Sequence, residues 1–447
     1  MNNKVFLRRM LALALPIALQ NLLSSCGYLI DTAMVTSLGN VATSAIGVAS
    51  RWSFLMNVTT FGVCSGCATL IAQSWGAGDH RTIRRTTGLG LTAAAGVALV
   101  YVLMAQFFPA QMMALFTGEQ AVIEAGVGYI RIASFSLLFT SISLVVSTAV
   151  RSTEDVTTPF IASTFGVVSN CILNYGLIYG HFGLPAMGLE GAALATVLAM
   201  ALQLTIILGV AWARKSVFLQ DRRQLFGWDG PFIRKYVDVS APILLNEFMW
   251  ALGTTIYSMI LARQGSENYA AYTVFNSIHE VFFVFFVGLC NACAIMVGKA
   301  IGERKPDMAY TIAGKHLIAI PILSVVLGGL QIVLRNPILN VIGLETVGAH
   351  QTAAGLLVLH GLFMPLINIP YVAVVGIFRA GGDTKYGFLI DTLSVYLMGI
   401  PVLWFMAYMT NASFLSMVAG MYLAEYILKA ILCLQRYKSR KWIRDLV

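Results

Sequence analysis

The chain contains an internal repeat, in which residues of the first half recur in the second half at a spacing of 226 residues. The matched pairs are Pro16 and Pro242, Ile17 and Ile243, Gly39 and Gly265, Ala45 and Ala271, Gly62 and Gly288, Cys64 and Cys290, Cys67 and Cys293, and Gly76 and Gly302. Further along, Arg151, Asp155 and Phe160 recur as Arg379, Asp383 and Phe388 at a spacing of 228, which a two-residue difference in loop length explains. In an apolar chain, such a duplication predicts two lobes around a central path.

The composition indicates that the chain is embedded in a lipid bilayer. Hydrophobic residues make up 58% of the chain and charged residues 11%, and the mean hydropathy is +0.78. Measured against the roughly 20 residues that cross a bilayer, the apolar stretches predict an all-α integral membrane protein with twelve transmembrane helices, six per repeat. The predicted helices span residues 10–36, 45–72, 86–108, 126–150, 157–180, 190–213, 236–262, 271–298, 308–334, 350–378, 386–408 and 413–435.

The distribution of Lys and Arg predicts the orientation, because basic loop residues are retained on the cytoplasmic side. With the N-terminus inside, the inner segments hold most of the basic residues, and Arg263 and Arg335 are the exceptions in the outer loops. Both termini are therefore expected in the cytoplasm. An even number of helices per repeat gives both lobes one orientation, with a pseudo-two-fold axis along the membrane normal.

The same pattern divides the chain into an N-lobe over residues 1–213, a cytoplasmic linker over 214–235, a C-lobe over 236–435 and a basic cytoplasmic tail over 436–447. The loop bias accounts for the net charge of +9. Because the basic residues are spread over many short loops, no nucleic-acid partner is expected.

Several chemistries lack their motifs. The nearest approach to a phosphate-binding loop is Gly298-Lys299, with Cys293 in place of the first glycine and Ala300 in place of Ser or Thr, so we expect no ATP hydrolysis. HExxH and GxSxG are also missing. We therefore expect neither an enzyme nor a cofactor. The two CxxC pairs are interpreted as small packing residues between helices.

In the first predicted helix, Asp31 is an acid at membrane depth, where a charge tends to persist only with a role or a partner. Gln20, Ser24, Gly27 and Asp31 form a polar stripe at helical spacing, with Tyr28 close to the carboxylate. The stripe favours an ion-coupling or substrate site. An acid exposed to water near the outer helix end is the alternative.

In the seventh predicted helix, Glu247 occupies the corresponding region of the second repeat. Glu247, Trp250, Thr254 and Tyr257 share a helix face. A carboxylate beside aromatic faces suits a lipophilic cation, so these residues are substrate-site candidates. A purely structural Glu247, held by a neighbouring polar group, is the alternative.

Neutral and titratable polar residues on two other helices complete the candidates. Asn170 and Asn174 on the fifth helix offer amides that can bond Asp31, coordinate a cation or simply join helices. Asn276, His279 and Glu280 on the eighth helix include an adjacent His and Glu that would suit proton transfer. Asp391 and the Glu425 and Lys429 pair are interpreted as structural.

With these residues in place, the chain resembles the multidrug and toxic compound extrusion family, MATE, over nearly its full length. The residues that carry the resemblance are Pro16-Ile17, the run from Leu29 to Val35, the run from Ala72 to Gly78, the run from Pro242 to Glu247, and the run from Phe378 to Lys385. The resemblance implies two six-helix lobes around a V-shaped cavity. It also implies export of cationic lipophilic compounds in exchange for protons or sodium ions, with Asp31 as the N-lobe acid and Glu247 near the C-lobe acid.

One departure leaves the coupling ion open. A branch of the family has a second acid on the fifth helix, where this chain has Asn174. A single carboxylate can hold a proton and release it as a cationic substrate takes its place. Sodium coupling would use Asp31, Asn170 and Asn174 as ligands.

The predicted function is thus a secondary active antiporter for small cationic lipophilic compounds, working by alternating access. The alternative is a flippase for a lipid-linked saccharide, which would need cationic residues in the cavity to meet pyrophosphate. We expect a monomer in the lipid bilayer of a bacterial inner membrane, crossing it many times.

Overall fold

The computed structural model describes residues 2–342 and 346–446, and their regular structure is entirely helical. The helices are α1 (Asn3–Thr36), α2 (Asn40–Ala77), α3 (His80–Phe107), α4 (Pro109–Ala114), α5 (Gln120–Ser152), α6 (Thr157–Tyr179), α7 (Gly188–Ala213), α8 (Gly230–Ala262), α9 (Ser266–Gly302), α10 (Pro306–Ile342), α11 (Val347–Tyr371), α12 (Thr384–Leu393), α13 (Ile400–Met409) and α14 (Phe414–Lys438). The all-α membrane fold predicted from the sequence is confirmed.

Eleven helical segments of the described chain are long and apolar enough to cross a membrane. They match eleven of the twelve predicted helices. The remaining predicted helix is α8, whose mid-helix Asn246 and Glu247 lower its hydropathy. The six-residue α4 is an addition that apolar length alone does not predict.

Two predicted helices are interrupted by π-helical turns, which are wider than α-helical ones. One π segment, Val372–Phe378, continues α11. The other, Ser394–Gly399, joins α12 to α13. Because π turns cost hydrogen-bond geometry, they often mark functional positions. The corresponding helices of the first repeat, α5 and α6, are continuous α-helices.

The chain forms two compact units. The N-terminal unit is Leu19–Leu244, and the C-terminal unit consists of Met1–Ala18 and Leu245–Val447. These boundaries lie within α1 and α8, two residues after Pro16 and two residues after Pro242. The lobes drawn from the repeat, 1–213 and 236–435, stay a prediction. Met1 and Val447, which belong to the predicted N-lobe and tail, lie outside the described residues.

Glycines let helices approach closely inside each unit. In the N-terminal unit, a Cβ at Gly66 would lie 1.8 Å from Oγ of Ser240, and a Cβ at Gly62 would lie 2.8 Å from Cα of Leu244. In the C-terminal unit, a Cβ at Gly288, the repeat partner of Gly62, would lie 2.6 Å from the carbonyl oxygen of Ala14. The first half of α8 therefore packs closely against α2, and the first half of α1 packs closely against α9, because both contacts are made at glycines.

The predicted linker packs onto the N-terminal unit. It contains two short 3₁₀ turns, Val217–Leu219 and Arg222–Phe226. Arg84 on α3 donates to the carbonyl of Val217 (3.0 Å) and to the side chain of Gln224 (2.9 Å). The linker is therefore tied to α3 by hydrogen bonds.

The repeat is also visible as an acid–arginine pair at equivalent loops. Asp155, between α5 and α6, pairs with Arg214 at 2.8 Å. Its repeat partner Asp383 pairs with Arg436 at 2.7 Å and with Arg444 at 2.6 Å. Both copies thus contain the same kind of ion pair. In the first copy it joins the loop before the fifth predicted helix to the end of the sixth, and in the second copy it joins the loop before the eleventh to the end of the twelfth.

Asp155 also caps α6. Its Oδ1 accepts the backbone N–H of Thr158 at 3.1 Å, and its Oδ2 accepts the hydroxyl of the same residue at 2.6 Å. Burial raises the pKa of Asp155, but the bonds from Thr158 and the pairing with Arg214 outweigh it and hold the pKa below its ordinary value. Its stabilisation is therefore present above the unfolded-state pKa of about 3.9 and is lost as the pH falls through the lower, folded-state pKa.

We expect Asp155→Ala to lower the stability of the purified protein by about 1 kcal/mol, the typical value of an N-terminal cap. The measurement is thermal unfolding in detergent. Glu119→Ala is the matched control, because Glu119 occupies the N-cap of α5 without a capping bond from its side chain. Equal unfolding temperatures for the two variants would contradict the assigned cap.

Candidate functional site

In the N-terminal unit, Asp31 meets Asn174. Asp31 lies on α1 and is half-buried, whereas Asn174 on α6 is fully buried. The side-chain Nδ2 of Asn174 donates a hydrogen bond to Oδ1 of Asp31. Gly27 permits this approach, because a Cβ there would lie 2.8 Å from Cγ1 of Val167 on α6. The carboxylate is therefore stabilised by a neutral amide.

The hydrogen bonds continue away from Asp31 along α6 to α7. Asn174 Nδ2 also donates to Oδ1 of Asn170 (3.3 Å), and Asn170 Nδ2 donates to Oγ1 of Thr196 (3.4 Å). The Oδ1 atom of Asn174 is buried without a hydrogen-bond partner in the described structure. An amide oxygen without a partner can accept a hydrogen bond or coordinate a hard cation.

The other residues of the predicted stripe take separate positions. Ser24 Oγ donates to the backbone carbonyl of Gln20 at 3.0 Å, and the Tyr28 side chain is 62% exposed. Sequence reasoning missed Thr196 on α7, because nothing in its spacing links it to Asn170.

In the C-terminal unit, Glu247 forms an ion pair with Arg379. Oε1 of Glu247 lies 2.6 Å from NH2 of Arg379, and the two side chains are 18% and 5% exposed. Arg379 comes directly after the π segment Val372–Phe378. The run from Arg379 to Lys385 thus supplies a buried cation, which pairs with the Glu247 carboxylate.

The predicted aromatic face on α8 is divided between different neighbours. Trp250 is 49% exposed, whereas Tyr257 is 5% exposed and hydrogen-bonds Glu425 at 2.8 Å. Thr254 donates to the backbone carbonyl of Ala251 at 3.0 Å. The structure therefore places Tyr257 in a buried polar cluster, separate from the Glu247 pair.

Asp391 and Lys429, interpreted as structural from the sequence, meet within this unit. Nζ of Lys429 lies 2.7 Å from Oδ1 of Asp391. The side-chain Nδ2 of Asn246, next to Glu247 in the chain, donates to Oδ2 of Asp391 at 3.0 Å. The pair joins α8, α12 and α14 at one point.

His279 packs against a second histidine. The ring centroids of His279 and His360 are 4.5 Å apart and nearly perpendicular, and His360 Nδ1 lies 3.2 Å from Nε2 of Gln331. Glu280, its neighbour in the chain, is exposed. Asn276 lies one helical turn from Tyr272 on α9. His279 thus contacts the His360 ring, and the proton relay with Glu280 stays a prediction.

Within the described residues, no group of three or more His, Cys, Asp or Glu side chains is placed to hold a metal ion. Sodium is a different case, because amide and hydroxyl oxygens also bind it. Asp31, Asn170 and Asn174 remain the predicted sodium ligands.

Eleven apolar spans among the described residues, with paired polar groups inside them, define a polytopic membrane protein. The MatE family model matches residues 16–176 and 242–405. The chain belongs to this family, and the resemblance inferred from its motifs is confirmed. Because the family consists of transporters, the chain is a transporter and not an enzyme.

Two relatives and one solved structure illustrate the likeness. Probable multidrug resistance protein NorM of Thermotoga maritima is 22% identical, covering 97% of this chain and 93% of the relative. Probable multidrug resistance protein YoeA of Bacillus subtilis is 24% identical, covering 96% and 93%. The crystal structure of MATE in the bent conformation has a TM-score of 0.87 at 16% identity, covering 98% of this chain and 96% of that one. The fold is thus the two-lobe fold of these transporters, and the chain is a multi-pass inner membrane protein.

We expect Glu247 and Arg379 to be energetically coupled. Breaking a buried ion pair leaves an uncompensated charge, so Glu247→Gln and Arg379→Met should each destabilise the protein. The double variant should be more stable, by about 2 kcal/mol, than the sum of the two single-variant effects predicts. This coupling is smaller than the cost of breaking a fully buried ion pair, because Glu247 is partly exposed. Thermal unfolding of the four proteins in detergent measures this cycle.

The control is the Glu303 and Lys305 pair, whose lysine is 59% exposed. An exposed pair is worth about 1 kcal/mol or less. Additive effects at Glu247 and Arg379, like those expected at the control pair, would show that the 2.6 Å contact does not stabilise the protein.

Proposed function

We propose that this protein exports small cationic lipophilic compounds in exchange for protons or sodium ions, with Asp31 as the exchanging carboxylate. The observation that carries the proposal is the partner of Asp31, a neutral amide from Asn174. An amide orients a carboxylate without cancelling its charge, so Asp31 can still attract a cation. The names of the bacterial relatives, which describe multidrug resistance, support extrusion as the direction of transport.

The contrast with Glu247 assigns this role to the N-terminal unit. NH2 of Arg379 lies 2.6 Å from Oε1 of Glu247, so the carboxylate already has a cationic partner. A cationic substrate would have to displace a tethered guanidinium, which forms a strong, charge-assisted hydrogen bond with the carboxylate. The same contact argues against the flippase alternative, because this buried arginine is paired with an acid and so is less suited to receive a pyrophosphate.

Exchange at Asp31 would result from competition for one negative charge. The carboxylate takes a proton or a sodium ion from outside, and release of that ion on the inner side frees it for the cationic substrate. One-for-one exchange of a proton for a monovalent cation moves no net charge, so the pH difference supplies the driving force. Each unit of that difference contributes about 1.4 kcal/mol, a tenfold accumulation.

Sodium coupling would use the same site with a different ligand set. The unpartnered Oδ1 of Asn174 and a carboxylate oxygen of Asp31 supply hard oxygen ligands. Asn170, which accepts a bond from Asn174, would provide a third oxygen after side-chain rotation. We further propose that the protein works as a monomer with both termini in the cytoplasm, as the basic loops indicate.

We expect Asp31→Asn to reduce export of a fluorescent lipophilic cation by about tenfold or more, since a hydrogen bond to a charged group contributes about 1.5–3 kcal/mol. Purified protein is reconstituted in liposomes, and a proton gradient or a sodium gradient is imposed separately. The gradient that moves the dye identifies the coupling ion.

The matched control is Glu119→Gln, the same loss of charge at an exposed helix end. It should export at the wild-type rate. Wild-type export by Asp31→Asn at equal protein levels would remove Asp31 from the mechanism. A wild-type protein that moves no dye under either gradient would contradict the proposed substrate class.

A second variant tests the Asp31–Asn174 contact directly. Asn174→Asp would place two carboxylates within hydrogen-bond distance, and such a pair holds one proton more tightly than either acid alone. Under proton coupling, the pH at which export is half-maximal should rise by about one unit or more. An unchanged pH profile, with Asn174→Leu as the uncharged comparison, would show that the two side chains do not interact during transport.

A further inference from the structure

A buried cluster in the C-terminal unit contains two carboxylates and one ammonium group. Lys429 Nζ lies 2.7 Å from Oδ1 of Asp391 and 3.7 Å from Oε1 of Glu425. The exposed fractions of these side chains are 9% for Lys429, 14% for Asp391 and 4% for Glu425. Tyr257 on α8 completes the cluster through its hydrogen bond to Oε2 of Glu425.

The charges of this cluster do not balance. With both acids ionised, one ammonium leaves a net charge of −1 among buried side chains of α8, α12 and α14. The other buried Lys or Arg among the described residues, Arg379, pairs with Glu247. A net charge among buried side chains is costly, so the cluster requires one further positive charge.

The hydrogen bonds indicate which acid receives it. Both oxygens of Asp391 face donors, Lys429 at 2.7 Å and the Asn246 amide at 3.0 Å, as expected for an ionised carboxylate. Glu425 lies 1.0 Å farther from the same ammonium, and its Oε2 has a phenol that can either donate or accept. Glu425 is therefore the better position for a proton.

Among the described residues, the surrounding titratable groups bring no second cation. Those that interact with Glu425, Asp391 or Lys429 are Tyr257 on α8, and Tyr422, Tyr426 and Cys433 on α14. All four are neutral in their ordinary protonated forms. The ring of Tyr426 lies 5.4 Å from Nζ of Lys429 and supports that charge through its π face.

The backbone beside Glu425 is specialised for this contact. Gly399 ends the π segment Ser394–Gly399, and a Cβ there would lie 1.9 Å from Oη of Tyr257 and 3.3 Å from Oε2 of Glu425. Only glycine lets the phenol and the carboxyl group meet at this point. A π turn and a required glycine next to one buried acid are features typical of functional positions.

Polar atoms also lie between the cluster and the exposed Trp250. Asn246, Trp250, Asp391 and Thr392 line a small depression. Oδ1 of Asn246 and Oγ1 of Thr392 are buried there without hydrogen-bond partners in the described structure. Each of these oxygens can accept a hydrogen bond.

We propose that Glu425 is a second exchangeable proton site, which holds one proton while Asp391 and Lys429 remain an ion pair. The proton comes from water, forms an O–H bond on the Glu425 carboxylate and returns to water on release, so no oxidant or further reactant is involved. The proposal rests on the proposed function only for the statement that this proton exchanges during transport.

Infrared spectroscopy of the purified protein at neutral pH tests the proposal, because a protonated carboxyl group has a carbonyl stretch distinct from that of a carboxylate. The wild type should show this band, with a shift in D₂O. The band should disappear in Glu425→Gln and persist in Asp31→Asn and in the exposed control Glu119→Gln. Loss of dye export in Asp31→Asn with the band intact separates this site from the proposed exporter site.

Two further variants test the charge balance with opposite signs. Asp391→Asn leaves one acid with one ammonium, so Glu425 should ionise and the band should be lost. Lys429→Met leaves two acids without a cation, so the band should roughly double in intensity. Thermal unfolding verifies that each variant is folded. The proposal is overturned if the wild type lacks the band, if Glu425→Gln retains it, or if both charge variants leave it unchanged.

Discussion

The cost of burying a carboxylate in hydrocarbon is the constraint on which the polar structure of this protein depends. Asp31, Glu247 and Asp391 each meet that cost differently. Asp31 is held by a neutral amide, Glu247 by a guanidinium at 2.6 Å, and Asp391 by an ammonium at 2.7 Å. The choice of partner decides what the acid can still do. A carboxylate bonded to an amide keeps its charge available, whereas one paired with arginine has lost most of its attraction for another cation.

The duplication shows that these solutions diverged after the two halves arose. At the spacing of 226, Asp31 corresponds to Tyr257, and Glu247 corresponds to Asn21. Each copy therefore has an acid where the other has a neutral polar residue. By contrast, the loop acids Asp155 and Asp383 keep arginine partners in both copies. The ion pairs of the loops were retained in both copies, whereas the acids within the helices were not.

Local sequence pattern predicts the helices and one contact of the candidate site. Apolar length predicts the spans, and a hydrogen bond from Asn174 to Asp31, one of the alternatives that the sequence leaves open, is present in the structure. The Glu247–Arg379 pair is not predictable in this way, because 132 residues separate its members and the repeat partner of Arg379 gives no hint of an acid. The same holds for His279, since its sequence neighbour is Glu280 but the ring it touches is His360 on α11.

The sequence gives a signal for irregular helix at the π segments, but not for their exact form. Proline lacks the N–H of a regular α-helix, and Pro370 precedes the first segment while Pro401 follows the second. At the second segment, Tyr257 and Glu425 also approach the backbone at Gly399. Hydrophobic periodicity reports which face of a helix is apolar, but it does not report where a neighbouring side chain needs room.

The difference between the two acid sites has a consequence for energetics. Exchange at Asp31 alone trades one positive charge for another, so a membrane potential does no work on a monovalent substrate. A second proton carried by Glu425 would add one uncompensated charge to each cycle. That charge would gain about 2.3 kcal/mol from each 100 mV of potential, more than one pH unit supplies to a single proton. The two copies of the repeat would then divide the task, with the amide-held acid selecting the substrate and the lysine-paired cluster coupling the cycle to the membrane potential.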